Sequence, residues 1–269
     1  MKYRLLALDL DGTLTNNKKE VTQHCLDALF AAQKLGVKVA LVSGRPTFGV
    51  APIADLIRLD LFGGFVVSFN GGEITDWKTK KTLYKNYIEP LYIPYLYNTA
   101  KANGFTIMTY SGDCIITENP DDEYVIRASR LNKMRINPVE DFVKAMDHPV
   151  SKCLIVGYPG KLAELEVNMS RELEDEIGVF RSEPYFLEVV PDGVDKERAL
   201  AALTESLGIT REEVIAIGDG YNDLTMIVYA GLGIAMDNAQ TPVKQSADFI
   251  TLSNENDGVA YAIEKFILS

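Results

Sequence analysis

Residues 3–14 of the chain read Tyr-Arg-Leu-Leu-Ala-Leu-Asp-Leu-Asp-Gly-Thr-Leu. The first six are mostly apolar and of strand length, which predicts a strand that is buried on both faces. Asp9 and Asp11 follow directly, and residues two apart in extended backbone project to the same side. The segment therefore predicts a buried strand that ends in two carboxylates on one face.

The same kind of pattern continues on both sides of a central segment. From residue 3 to about residue 69, and again from residue 196 to the end of the chain, strand-length apolar runs alternate with apolar residues at helical spacing. This alternation is typical of parallel βαβ units, in which helices cover both faces of a sheet. We therefore expect an α/β core with a doubly wound, Rossmann-like parallel sheet, formed by residues 1–84 and 189–269.

Residues 85–188 have a different pattern. Two strand-length runs, 105–110 and 114–118, are joined by Ser111-Gly112-Asp113, and two further runs flank Glu183-Pro184. Hairpins with helices on one side indicate an α+β module. We expect this segment to form a second domain that is inserted into the core.

Four polar clusters interrupt the apolar core segments. Three of them follow directly after the C-terminal end of a predicted parallel strand, which is the edge where open α/β sheets bind ligands. We therefore expect positions far apart in the sequence to meet in one crevice. The clusters are Asp9-Leu-Asp-Gly-Thr, Ser43-Gly-Arg, Lys196 and Gly218-Asp-Gly-Tyr-Asn-Asp.

Carboxylates are concentrated at this predicted edge, where Asp9, Asp11, Asp219 and Asp223 would lie close together. Two like charges ~5 Å apart repel by about 3 kcal/mol at an effective dielectric constant of about 20. Such a cluster is tolerable only with a bound cation or with raised pKa values, and oxygen ligands without histidine or thiolate suit Mg²⁺. The carboxylates therefore predict a magnesium site.

The remaining polar residues suit a phosphoryl group beside that metal. Asp9 and Asp11 can divide two tasks, because one carboxylate can attack phosphorus while the other handles the proton of the leaving group. Lys196 opens a predicted helix, so its ammonium and the helix N-terminus can both face an anion. Ser43 offers a hydroxyl donor at its own strand end, and Arg45 can reach toward the ligand.

Taken in this order, the motifs resemble those of the haloacid dehalogenase superfamily. The resemblance also includes Asn70-Gly-Gly after the third predicted strand and an insertion of this size between the second and third motifs. More narrowly, the chain is similar to the Cof-type phosphatases, which carry a large α/β cap at that place. The likeness extends over essentially the whole length, and it implies that the inserted segment is a cap that sets substrate choice.

The resemblance also implies a role for each motif residue. Asp9 would be the nucleophile that forms an aspartyl-phosphate. Asp11 would be the general acid and then the base, and would bind Mg²⁺ through its backbone carbonyl. Ser43 and Lys196 would hold phosphoryl oxygens, and Asp219 would bind the metal, with Asn222 and Asp223 supporting both the metal and the phosphate. Asn70 would line the substrate crevice near the cap, and we also expect Gly44, Arg45 and Asn222 to bind the substrate.

Composition limits the partners. The net charge of −11 opposes binding to nucleic acid, which requires a basic surface, but not to a small phosphorylated metabolite. The longest apolar runs are too short to span a membrane, and the N-terminal residues enter a strand pattern before any secretory segment can form. We expect a cytoplasmic protein that is a monomer or a weak homo-oligomer.

These observations predict a Mg²⁺-dependent phosphatase of small phosphorylated metabolites, among which the resemblance favours sugar phosphates. Two alternatives remain at this point. A phosphomutase of the same superfamily uses the same aspartate pair but returns the phosphoryl group to its substrate. A phosphosugar-binding regulator would keep the fold without turnover.

Overall fold

The structure is a computed structural model that describes residues 2–174 and 176–269. The chain forms two compact units. The first contains the residues up to Tyr84 together with Asp195–Ser269, and the second is Lys85–Val194. The strand Phe186–Pro191, which ends shortly before the second boundary, therefore belongs wholly to the inserted unit.

Strands and helices alternate over most of the first unit, and the second unit combines paired strands with helices. The strands are β1 (Leu5–Leu8), β2 (Lys38–Val42), β3 (Phe65–Ser68), β4 (Glu73–Asp76), β5 (Lys81–Lys85), β6 (Thr106–Ser111), β7 (Cys114–Thr117), β8 (Arg135–Pro138), β9 (Cys153–Val156), β10 (Ile177–Glu183), β11 (Phe186–Pro191), β12 (Val214–Gly218), β13 (Leu232–Ala235) and β14 (Phe249–Ile250). The helices are α1 (Gln23–Lys34), α2 (Thr47–Leu56), α3 (Leu59–Phe62), α4 (Ile93–Ala102), α5 (Glu123–Asn132), α6 (Phe142–Ala145), α7 (Pro159–Glu172), α8 (Lys196–Leu207), α9 (Leu224–Tyr229), α10 (Thr241–Ser246) and α11 (Gly258–Phe266).

The first unit is built on an eight-stranded sheet in the order β14-β13-β12-β1-β2-β3-β4-β5. The strands from β14 to β3 are parallel, and β4 runs antiparallel to β3. Leu5 of β1 lies opposite Val214 on one side and Lys38 on the other. This is the predicted doubly wound α/β core, and it places the N-terminal strand at the centre of the sheet.

Alternation along β1 explains why helices cover both faces of that sheet. Leu6 and Leu8 join a core cluster with residues of α1 and α11, whereas Leu5 and Ala7 join a cluster with residues of α8 and α9. All four residues of β1 are buried, as the predicted two-sided strand requires. The central strand is therefore held by packing on both sides, which fixes the position of the residue that follows it.

The second unit has a six-stranded sheet in the order β10-β11-β9-β6-β7-β8, antiparallel except between β7 and β8. Ile107 and Ile155 pack on one face with residues of α4, α6 and α7. Met108 and Leu154, their neighbours in sequence, pack on the opposite face with Val125 of α5. The expectation that helices lie on one side of this module was therefore wrong, because β6 and β9 are apolar on both faces.

Several elements were not predicted. The edge strand β5 is exposed at every residue and β8 is exposed or half-buried, so neither has the apolar pattern that marks a core strand. The short elements α3, α6, α10 and β14 were also not predicted. Within the described ranges, no helix combines the length and apolar character that a membrane crossing requires.

Candidate active site

The predicted polar clusters of the first unit meet at the C-terminal edge of its sheet. Asp9 follows β1, and its backbone N–H donates to the Ile217 carbonyl of β12 at 3.0 Å. Ser43 follows β2, and its N–H donates to the Val67 carbonyl of β3 at 2.8 Å. Asp219 follows β12 in the same way. Parallel pairing thus places positions from both ends of the chain side by side.

Lys196 lies at the centre of this edge and is fully buried. Its helix begins at an N-cap, Asp195, whose carboxylate accepts from the Arg198 N–H at 2.7 Å. The Lys196 ammonium donates to Asp9 Oδ1 at 2.7 Å, to Asp223 Oδ1 at 2.5 Å and to the Val42 carbonyl at 3.0 Å. All three of its N–H bonds therefore have protein acceptors.

Three carboxylates form what we call the acidic group: Asp9, Asp219 and Asp223. Each offers one oxygen, and these oxygens all lie within 4.8 Å of one another. Thr13 Oγ1 donates to Asp219 Oδ1 at 2.9 Å. Asp223 Oδ2 accepts from the backbone N–H groups of Asp219 and Gly220, both at 2.9 Å. The geometry and the all-oxygen donor set fit a divalent cation of the Mg²⁺ type.

Burial and repulsion between carboxylates raise the pKa values of Asp9 and Asp219. Burial and the Asp223 charge raise the pKa of Asp9 to about 8, although Lys196 opposes them. Burial and the Asp223 charge likewise raise the pKa of Asp219 to about 6, and the Thr13 hydroxyl partly offsets them. For Lys196, burial alone would lower the pKa, but Asp223 and Asp9 raise it above its usual value. The negative charge of these carboxylates therefore exceeds what the single Lys196 ammonium balances.

The side chain of Asp11 has different partners from those of Asp9. Arg45 makes a bidentate contact with it, Nε to Oδ2 at 2.7 Å and Nη2 to Oδ1 at 2.6 Å. Lys19 Nζ lies 2.6 Å from the same Oδ1. Burial would raise the pKa of Asp11, but the hydrogen bonds and charges of Arg45 and Lys19 outweigh it and lower the pKa. Asp11 is therefore ionised in this arrangement, and the Arg45 guanidinium is directed at Asp11.

The two predicted asparagines contact each other. Asn70 is buried, and its backbone lies in the left-handed region with φ 57°. Its Oδ1 accepts from Asn222 Nδ2 at 3.0 Å. Its backbone N–H donates to the Ser43 carbonyl at 3.0 Å. A Cβ added to Gly44 would lie 3.0 Å from Asn70 Oδ1, so this amide packs directly on the glycine. Asn70 thus links the loop after β2 to the loop after β12.

Sequence reasoning missed two residues of the site, Lys19 and Asn238. Asn238 Nδ2 donates to the Gly12 carbonyl at 2.8 Å and approaches Asp219 Oδ2 at 3.4 Å. It lies in the loop after β13. Because ligand-binding residues of open α/β sheets follow the ends of parallel strands, this position could have been recognised from the sequence. Lys19 lies in a loop, and nothing in its sequence context singles it out.

The fold and the acidic group define a class of protein: an α/β protein with carboxylates that could hold a cation at the C-terminal edge of a parallel sheet. Comparison with known proteins makes that class specific. The model of the haloacid dehalogenase-like hydrolase family matches residues 6–263. The chain therefore belongs to the haloacid dehalogenase-like hydrolase family.

Individual relatives agree with this assignment over their full lengths. The Bacillus subtilis protein YxeH, which carries a provisional phosphatase name, is 32% identical and aligns over 99% of both chains. The Bacillus subtilis 5-amino-6-(5-phospho-D-ribitylamino)uracil phosphatase YcsE is also 32% identical, over 98% of this chain and 96% of its own. A solved haloacid dehalogenase-like hydrolase from Bacteroides thetaiotaomicron is 52% identical, covers 99% of this chain and 100% of its own, and superposes with a TM-score of 0.95.

Proposed function

We propose that the protein, a phosphatase by its family, is Mg²⁺-dependent and hydrolyses small phosphorylated metabolites through an aspartyl-phosphate on Asp9. The observation that carries this proposal is the Asp9 carboxylate itself. It stands at the end of a strand buried on both faces, bonded at 2.7 Å to a fully buried ammonium and next to two further carboxylates. Such fixed geometry suits a nucleophile that has to approach phosphorus in line.

The acidic group would hold the metal through its carboxylates, with the backbone carbonyl of Asp11 as the family resemblance implies. When bound, Mg²⁺ supplies positive charge to the oxygens of a phosphoryl group. The protein's own residues supply the rest. Lys196 keeps the Asp9 carboxylate in one orientation, and Asp223 ties Lys196 to the loop after β12. Phosphoryl transfer depends mainly on such positioning and charge neutralisation.

Turnover on Asp9 would proceed in two steps. A carboxylate oxygen of Asp9 attacks phosphorus, and the bond between phosphorus and the ester oxygen breaks. Asp11 gives a proton to that oxygen as the alcohol leaves, and then takes one from the water that hydrolyses the aspartyl-phosphate. Since Asp11 is ionised while Arg45 and Lys19 hold it, it must take up a proton before it acts as an acid.

Substrate range is the finer part of the proposal. The net charge of −11 favours a small metabolite over a nucleic acid. Family resemblance favours sugar phosphates, and the name of one relative contains a phosphorylated ribityl group. A phosphate-release screen over a panel of metabolites with Mg²⁺ tests this range directly, and isomerised product without free phosphate would indicate a mutase instead.

The inserted unit is proposed to determine the choice of leaving group. Within it, Tyr185 stacks on Tyr124 at 5.4 Å between ring centroids and has Arg127 4.4 Å from its own centroid. Tyr110, at the end of β6, lies 5.3 Å from Lys152 Nζ. Substitution of Tyr185 or Tyr110 by Ala should reorder kcat/KM among sugar phosphates. An unchanged order in both variants would contradict this role.

Asp9→Asn tests the core of the proposal. We expect at least ~10³-fold loss of kcat, because a covalent nucleophile is removed. Asp60→Asn, which alters a carboxylate in α3 outside the acidic group, is the matched control. Retention of more than about a tenth of wild-type turnover in Asp9→Asn would exclude Asp9 as the nucleophile.

A further inference from the structure

The loop after β13 is fixed against the strand next to it. In the sheet, β13 lies between β14 on one side and β12 on the other, and β1 follows β12. The Met236 N–H donates to the Gly218 carbonyl of β12 at 3.0 Å. The Gln240 N–H donates to the Asp219 carbonyl at 3.1 Å. Asn238 lies between these two bonds and is therefore held beside the end of β12.

The side chain of Asn238 joins the loops that follow three other strands. Its Nδ2 donates to the Gly12 carbonyl, after β1, at 2.8 Å and approaches Asp219 Oδ2, after β12, at 3.4 Å. Its Oδ1 accepts from the Asn254 N–H, after β14, at 3.0 Å. Asn254 is buried, and its own Nδ2 donates to the Thr15 carbonyl in the loop after β1 at 3.1 Å. One exposed amide thus connects four neighbouring strand ends.

An amide suits these three neighbours chemically. A backbone carbonyl and a carboxylate oxygen require donors, whereas a backbone N–H requires an acceptor. The side chain of asparagine supplies two N–H groups on one atom and a carbonyl oxygen on another. The neighbours therefore determine the orientation of the Asn238 amide. An aspartate at this position would have no donor to offer, and a leucine of similar size would have neither a donor nor an acceptor.

The two groups that Asn238 Nδ2 approaches also lie against each other, and one belongs to the acidic group. A Cβ added to Gly12 would lie 2.4 Å from Asp219 Oδ2, so this carboxylate packs on the Gly12 backbone. Thr13 Oγ1 donates to the other oxygen, Asp219 Oδ1, at 2.9 Å. Hydrogen bonds to a carboxylate that binds a metal fix its direction, and each oxygen keeps a lone pair for the ion. The direction of the Asp219 carboxylate therefore depends on Asn238 and on the loop after β1.

We propose that Asn238 is a positioning residue for the metal site: it holds the Gly12 carbonyl and the Asp219 carboxylate in the arrangement that a divalent cation requires of the acidic group. The inference rests on the proposed Mg²⁺ site. Loss of the amide leaves the Asp219 carboxylate held by Thr13 on one oxygen, and it separates the loop after β1 from the loop after β13. Asp9 keeps its bond to Lys196. The defect is therefore weaker metal binding with the nucleophile still in place.

Calorimetric titration with Mg²⁺ in the absence of substrate measures this defect without turnover. Asn238→Leu keeps the approximate size of the side chain and removes its donors and its acceptor. We expect the Kd for Mg²⁺ to rise about 10- to 100-fold, the usual effect of replacing a residue that orients a metal ligand. Asn238→Ala should give a similar rise. The control is Asn256→Ala, because Asn256 is also exposed but its Nδ2 donates to Ser253 Oγ at 2.8 Å. This variant should keep the wild-type Kd.

The Mg²⁺ dependence of turnover separates positioning from damage to the fold. In Asn238→Leu the Mg²⁺ concentration for half-maximal activity should rise about 10- to 100-fold, while kcat at saturating Mg²⁺ stays within about 3-fold of wild type. The melting temperature in EDTA should fall by no more than about 4 °C, because the lost hydrogen bonds belong to an exposed side chain. A low kcat with an unchanged Mg²⁺ requirement, or a fall of more than about 10 °C in that melting temperature, would overturn the proposal.

The titrations also distinguish this inference from the proposal on which it rests. If the wild-type protein binds no Mg²⁺, the metal site fails and the role of Asn238 fails with it. If the wild-type protein binds Mg²⁺ and is activated by it, but Asn238→Leu and Asn238→Ala have the wild-type Kd, the positioning role alone is refuted. An equal rise in Kd for Asn256→Ala would also refute it, because the effect would then not depend on the contacts of Asn238.

Discussion

Replacement of Lys196 by Met probes the charge balance on which the site depends. The ammonium is fully buried and donates to Asp9 at 2.7 Å and to Asp223 at 2.5 Å. Met has a similar length but leaves two buried carboxylates without their cation. Removing one partner of a buried ion pair costs about 3–5 kcal/mol, so we expect a loss of this size in the free energy of unfolding. For a chain of this size that loss lowers the melting temperature by roughly 10 °C.

The assay is urea unfolding followed by circular dichroism in EDTA, so that no metal replaces the missing charge. Lys144→Met is the control, since Lys144 pairs with Asp141 at 2.9 Å but its side chain is 85% exposed. It should lose under about 1 kcal/mol. Adding Asp223→Asn to Lys196→Met should recover about 1–2 kcal/mol, because one uncompensated charge disappears. A loss under about 1 kcal/mol in Lys196→Met would refute the argument that the ammonium holds the carboxylates in the core.

Three further changes test the geometry around the site and the inserted unit. A Cβ added to Gly12, at φ +90°, would lie 2.4 Å from Asp219 Oδ2, so Gly12→Ala should weaken Mg²⁺ binding by calorimetry at least ~10-fold. Gly36→Ala, at φ +93° with open space around it, should leave that affinity intact, and equal effects would contradict the contact argument. Two carboxyls of the acidic group have pKa values raised to about 6 and about 8, so Mg²⁺ must displace protons there. Its affinity should therefore rise from below pH 6 to pH 8 with proton release on binding, and a pH-independent affinity would count against the raised pKa values. The inserted unit contains a buried ion pair, Lys152–Glu188, at 2.6 Å. Lys152→Met alone should lower the free energy of unfolding in urea by about 3–5 kcal/mol, and the double variant with Glu188→Leu should recover most of that loss.

The parts of the fold that follow from local pattern were predictable. Leu5–Leu8 is apolar on both faces and therefore had to be an interior strand. Asp9 follows that strand, so its place at the sheet edge required no knowledge of distant contacts. The same reasoning placed Ser43 and Asp219, because parallel strands end at a common edge.

The details that escaped prediction depend on partners distant in sequence. Whether the Asp11 side chain faces Asp9 or turns to Arg45 is a choice of side-chain rotamer, and it is decided by a guanidinium 34 residues away. The role of Asn238 arises from its approach to a carbonyl 226 residues earlier in the chain. Periodicity carries none of this information.

The covalent step on Asp9 is the central claim, and acid quenching during steady turnover tests it most directly. The enzyme is mixed with Mg²⁺ and a ³²P-labelled metabolite that it hydrolyses, quenched within milliseconds, digested and mapped by mass spectrometry. The account predicts a hydroxylamine-sensitive phosphoryl group on the peptide that contains Asp9, and none on that peptide from Asp9→Asn. Full turnover with no labelled peptide at any quench time, or a label on another residue, would contradict it.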